Sequence, residues 1–143
     1  MNRTTKKEGN NCFDETIQNW RENFKSIIHE IKLLAGSKGA VLQTMTFQHS
    51  PYFTDMWKEN DRFNECILCW RNLNKALFEI AREEGIQTAD VYQAFNGADG
   101  IQNPEDKGYD TKGDFYYFLS NQTGYKVIAG LFRSLGYIVY LPQ

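Results

Sequence analysis

Two stripes of apolar side chains recur at helical spacing in this chain, and each is followed by a short run of strand length. The first stripe is Ile17, Trp20, Phe24, Ile27, Ile28, Ile31 and Leu34. Steps of three and four place these on one helix face, with Arg21, Glu22, Lys25 and Glu30 to the other side. Gly36 stands where a C-terminal cap belongs. After it Ala40–Thr46 (AVLQTMT), bounded by Gly39, reads as a strand, and Phe47–Asp55 as a loop leaving it. The second stripe is Phe63, Ile67, Trp70, Leu73, Leu77, Phe78, Ile80 and Ala81, ended by Gly85, with Ala89–Phe95 (ADVYQAF) as the strand after it. A third helix over Asn121–Leu135 turns Val127, Ile128, Leu131 and Leu135 inward, is capped by Gly136 and precedes a closing strand, Tyr137–Leu141. This alternation predicts an α/β fold on a parallel sheet. Three strands are too few to serve helices on both faces. The expectation is therefore a fold whose N-terminal strands are missing, or a sheet completed by another chain.

At 143 residues the chain is sized for one domain. Residues 1–12 are polar and aperiodic and read as a flexible lead-in; 13–143 form the domain. A formal net charge of −2 gives no electrostatic reason for nucleic acid as a partner. No stretch approaches the ~20 apolar residues of a membrane span, and the basic N-terminus lacks the apolar run of a secretory signal. Three cysteines are too few for a disulfide scaffold and favour a reducing, cytoplasmic setting, although a fragment of a secreted parent would look the same. Cys66 and Cys69 form a C-x-x-C inside the second stripe. With no second Cys/His pair at zinc spacing, they read as buried helix cysteines, and no cofactor is implied.

Of the two histidines, His29 reads as a flank residue of the first helix. His49 follows the C-terminal end of a strand, where α/β proteins place ligands. Asp90, in Ala-Asp-Val-Tyr, is costly unless hydrogen-bonded and is expected to anchor a neighbouring loop or helix end. The segment Asn96–Gly113 is a long Gly- and Asp-rich loop of the kind kept for function, carrying Asp99, Asp106 and Asp110, with Asp114 just beyond. The aromatic run Phe115-Tyr116-Tyr117-Phe118 suits an apolar or sugar-stacking surface, or ordinary packing of a loop on the core. No G-x-S-x-G, P-loop or G-x-G-x-x-G is present.

The run ADVYQAFNGADG, then Gly108-Tyr109, then LSNQTGYKVIAGLFRSLGY resembles the C-terminal half of the SGNH hydrolases, the GDSL-type lipases and esterases. Upstream, IQNWRENFKSIIHEIK and AVLQTMT resemble the helix and strand that follow the family's G-x-N-D block, so the resemblance spans about residues 9–138. It implies a flavodoxin-like, three-layer α/β/α fold on a parallel sheet with its N-terminal strands missing, and an acyl or carbohydrate ester as substrate. The family's D-x-x-H-P-N-x-x-G-Y ending is matched by Asn121, Gly124 and Tyr125. Counting back, Leu119 stands at the histidine and Tyr116 at the aspartate; with a two-residue insertion Asp114 takes the aspartate's place. Gly9-Asn10-Asn11-Cys12 resembles a remnant of G-x-N-D, which would make Asn11 the oxyanion-hole residue. The nucleophilic serine block has no counterpart.

His49 is then the one loop histidine that could replace the base, and Tyr116, Tyr117 and Asn121 are the candidate substrate-binding residues. Two readings follow. One is an ester hydrolase fragment or degenerate member, weak or inactive alone and able to self-associate through an exposed sheet edge. The other is a non-catalytic binding or structural module derived from the same fold.

Overall fold

A computed structural model describes residues 15–35, 42–49, 51–109 and 121–136. In chain order these form α1 (Glu15–Ala35), β1 (Gln43–Met45), α2 (Pro51–Glu59), α3 (Phe63–Glu83), β2 (Gln87–Ala89), α4 (Val91–Asn96), a 3-10 helix (Pro104–Lys107) and α5 (Gln122–Leu135). The described chain is mostly helical, with β1 and β2 paired in parallel and in register from Gln43↔Gln87 to Met45↔Ala89. The α/β class expected from the alternation is what forms.

The strand pair separates two apolar clusters. Leu42 and Ile86 pack with Ile28, Ile80 and Ala81 of α1 and α3, joined by Trp20 and Phe24. Met45 and Ala89 pack with Val91 and Phe95 of α4 and with Val127, Ile128, Leu131 and Leu135 of α5. Alternate strand residues face opposite ways, so helices cover both faces of the pair. The inward residues expected for the last helix all pack here, and Phe132 joins them.

Ion pairs zip α1 to α3. Arg21 binds Glu79 at 2.8 Å and Lys25 binds Glu83 at 2.6 Å. Lys32 and His29 both reach Glu84 at 3.0 Å. Partner numbers rise together along the two helices, so α1 and α3 run in the same direction, as helices that precede parallel strands must. His29 is thus a surface residue of α1, as its position suggested. The α1 stripe is buried only in part. Ile28 is in the core, whereas Leu33 and Leu34 are each 77% exposed and Ile27 and Ile31 are also on the surface.

Three expectations are corrected. Ala89–Phe95 is not one strand: β2 ends at Ala89 and Val91–Asn96 is helical. Asp90 makes the change of direction, because its carboxylate accepts the Gln93 N–H at 3.1 Å and caps the new helix. Asp90 does therefore anchor a helix terminus. Phe47–Asp55 is not all loop, since α2 begins at Pro51, a residue whose fixed φ suits the first helical turn. The C-x-x-C cysteines are not alike: Cys66 is a half-buried free thiol, whereas Cys69 is disulfide-bonded. Gly36, the closing strand 137–141 and the lead-in 1–12 lie outside the described residues.

Two predictions follow from these contacts. Hydrogen bonds from Lys32, and then His29, hold the Glu84 carboxyl below the usual glutamate range, as Arg21 does for Glu79. A lowered folded value gives stability that is present at neutral pH and lost as the pH falls through that value. Glu84→Gln should cost about 0.5 kcal/mol at neutral pH, the worth of a surface pair. In urea denaturation the difference from wild type should vanish well below the ordinary glutamate value of about 4.3. Burial pushes the Cys66 thiol up, so iodoacetamide should label Cys66 slowly and faster as pH rises, while Cys69 reacts only after reduction; peptide mass mapping reads both.

Candidate functional site at the C-terminal edge of the strand pair

Parallel strands end on one edge, and the loops that leave it are where α/β proteins place ligands. Here the edge receives Thr46–His49 after β1, Asp90 and α4 after β2, the turn Gly97–Gly100, and the start of α5.

Two asparagines organise the loop after β1. Asn74, buried on α3, accepts the Phe47 N–H at 2.7 Å and donates to the Phe47 carbonyl at 2.9 Å. Asn96, at the end of α4, accepts the His49 N–H at 3.0 Å and donates to the His49 carbonyl at 3.1 Å. Each side-chain amide thus satisfies both backbone groups of one loop residue, as a neighbouring strand would. Asn96 also donates to the Gln102 carbonyl at 3.0 Å, and Trp70 Nε1 adds a bond to the Phe47 carbonyl at 2.7 Å.

Beside them, Thr46 Oγ1 donates to Asp90 at 2.9 Å and accepts the Tyr92 N–H at 2.8 Å. One carboxylate and one hydroxyl therefore tie the ends of both strands to the first turn of α4.

His49 is 0% exposed and lies between the rings of Trp57 and Tyr92. Its Nε2 is 2.8 Å from the Gly100 carbonyl. A carbonyl only accepts, so Nε2 carries the proton, and in the neutral ring Nδ1 is then the basic nitrogen. Tyr92 Oη also approaches the Gly100 carbonyl, at 3.4 Å, and burial pushes its phenol above the ordinary value. The Arg71 guanidinium donates to the preceding carbonyl, that of Asp99. Gly97 and Gly100 both have positive φ, 77° and 71°. A Cβ on Gly100 would fall on the Tyr92 phenol, so this turn needs glycine for both conformation and space.

The start of α5 reaches the same edge because its other end is tied to the strand beginnings. Gln43 Nε2 donates to the Gly136 carbonyl at 2.8 Å and Gln87 Nε2 to that of Leu135 at 2.7 Å. At the near end Asn121 caps α5, accepting the Gly124 N–H at 3.0 Å and donating to the Gly108 carbonyl at 2.9 Å. Its own N–H bonds the Tyr109 carbonyl at 3.1 Å. Gly108 and Tyr109 are thus held against Asn121.

Of the residues singled out from sequence, His49, Asp90, Asp99 and Asn121 come to this edge. His29 lies beyond it, paired with Glu84, which precedes β2. Asn11, Asp114, Tyr116, Tyr117 and Leu119 are outside the described residues. Asn74, Asn96, Thr46, Arg71 and Tyr92 were missed. Their available signal was a polar residue breaking an apolar stripe at Asn74, and an Asn-Gly pair at Asn96. Among the described residues no three His, Cys, Asp or Glu side chains are grouped to hold a metal ion.

In comparisons with known proteins, no family model, curated protein or solved structure matches this chain.

Removing the Asn96 amide would break its bonds to the buried His49 N–H and to the His49 and Gln102 carbonyls. Buried groups left unpaired cost about 1–3 kcal/mol, so Asn96→Ala should lower unfolding stability by at least about 2 kcal/mol. The exposed control Gln93→Ala should stay within about 0.5 kcal/mol. Urea denaturation at neutral pH compares the two.

Proposed function

We propose that this chain is the C-terminal portion, or a degenerate member, of an SGNH-type ester hydrolase, built on the flavodoxin-like three-layer α/β/α plan, with little or no activity alone. The ancestry rests on the sequence resemblance and is supported by the placement of its elements. β1 and β2 are parallel with helices on both faces, and α5 opens beside their C-terminal ends. Asn121, Gly124 and Tyr125, which end the segment equated with the family's catalytic block, open α5 at that edge. Tyr116, Tyr117 and Asn121 are the residues proposed to face an acyl or sugar ester, with Asn11 as the oxyanion-hole donor and Asp114 as the carboxylate that orients a base.

One observation carries the low activity: His49 is fully buried and its Nε2–H is committed to the Gly100 carbonyl. The chain's other histidine, His29 on α1, pairs with Glu84 at the end of α3, away from this edge. An exposed imidazole is what a serine nucleophile needs as its base, and that step alone is worth ~100-fold to 10,000-fold. Sealed polar groups at a ligand edge equally favour the second reading, a non-catalytic binding or structural module. Self-association through an exposed sheet edge belongs to either reading; a monomer in sedimentation at working concentration counts against it.

The purified chain should hydrolyse p-nitrophenyl acetate no faster than buffer. Turnover well above buffer that disappears in His49→Ala or Asp114→Ala would overturn the reading.

A further inference from the structure

Three donors from three elements converge on one turn at the ligand edge. His49 Nε2 and Tyr92 Oη meet the Gly100 carbonyl, and the Arg71 guanidinium meets that of Asp99. We infer that these donors form a carboxylate-binding site which the Asp99–Gly100 turn fills from within the chain, so that a ligand carboxylate and the turn compete for it.

Several features separate this from a plain loop anchor. An imidazole, a phenol and a guanidinium together make the donor set of an oxyanion site. His49 and Tyr92 are buried whereas Arg71 is exposed, which puts the cation at the mouth and the neutral donors within. Glycines at positive φ bracket the turn at 97 and 100, positions from which the backbone can take other conformations at low steric cost.

The charges that face the site decide the ligand class. Asp90 is occupied by Thr46 Oγ1 and the Gln93 N–H. Asp99 is on the turn and would leave with it, so Arg71 is the one charge of the three donors that stays. A tethered acceptor acts at an effective concentration of roughly millimolar or more. A free ligand therefore needs stronger bonds than the turn makes. Charge-assisted bonds from guanidinium to carboxylate are about twice as strong as neutral ones, and a neutral carbonyl has no such advantage. The site does not depend on the hydrolase reading: failure of the ester assay, or success in it, leaves this inference where it stands.

Sodium acetate, titrated against sodium chloride at equal ionic strength, tests it through the ¹H–¹⁵N signals of the His49 ring, assigned by their loss in His49→Gln. Acetate should move these signals saturably and chloride should not. Gly100→Ala, whose methyl displaces the turn from Tyr92, should bind acetate about tenfold more tightly, and Arg71→Ala about tenfold more weakly. Equal response to both salts, no saturation, or an undiminished response in Arg71→Ala overturns the inference. So does a folded Gly100→Ala that binds no better than wild type. Should Gly100→Ala fail to fold, the wild type and Arg71→Ala decide it: a saturable, Arg71-dependent shift supports the site and anything else removes it.

Discussion

The loop that leaves β1 has no third strand beside it among the described residues, yet its backbone polar groups are buried at His49 and partly buried at Phe47. The constraint on which the edge depends is that these groups be paired, and two side-chain amides do it. Asn74 takes both groups of Phe47, and Asn96 takes both groups of His49. They stand on different helices, α3 and α4, and grip alternate residues of the loop. The loop is thereby held in place, and His49 is carried against the rings of Trp57 and Tyr92. Without the pairing, each orphaned group would cost more than a typical hydrogen bond contributes, and the loop would have to move to water.

Polarity is set at both ends of the short strands. At their start, the glutamine pair Gln43 and Gln87 binds the last carbonyls of α5. At their end, Thr46 and Asp90 bind the first turn of α4. Two three-residue strands offer little pairing energy of their own, so side chains rather than the ladder define where the helices begin and stop. The α1–α3 ion pairs then fix the helix layer on the opposite face, each weak in itself and mostly a matter of register.

The two long helices, the last helix and the α/β class were legible from the sequence because apolar spacing reports burial directly. Asp90 illustrates the limit. ADVYQAF reads as a strand by its Val, Tyr and Phe, but the Asp90 carboxylate caps the backbone and bends the chain into α4; a local hydrogen bond defeats a propensity argument. Ile27, Ile31 and Leu34 show the converse: the stripe gave the helix correctly while promising more burial than α1 receives. His49 was found by its position after a strand. Asn74 and Asn96, which hold it, could not be found that way, since a polar residue in an apolar stripe gives no hint of which distant backbone it will meet.

Asn96 is followed by Gly97, and that adjacency bears on how the molecule ages. Spontaneous loss of ammonia from an Asn-Gly pair requires the glycine nitrogen to attack the side-chain amide carbon, and asparagine is among the thermolabile residues. In the folded chain the amide is held by three partners, and the Gly97 N–H is occupied by the Gln93 carbonyl at 2.9 Å. The same bonds that shape the edge therefore protect it chemically. Each opening of the edge exposes the pair, and conversion to aspartate would remove the donor that closes it again, so damage at this position would be self-reinforcing.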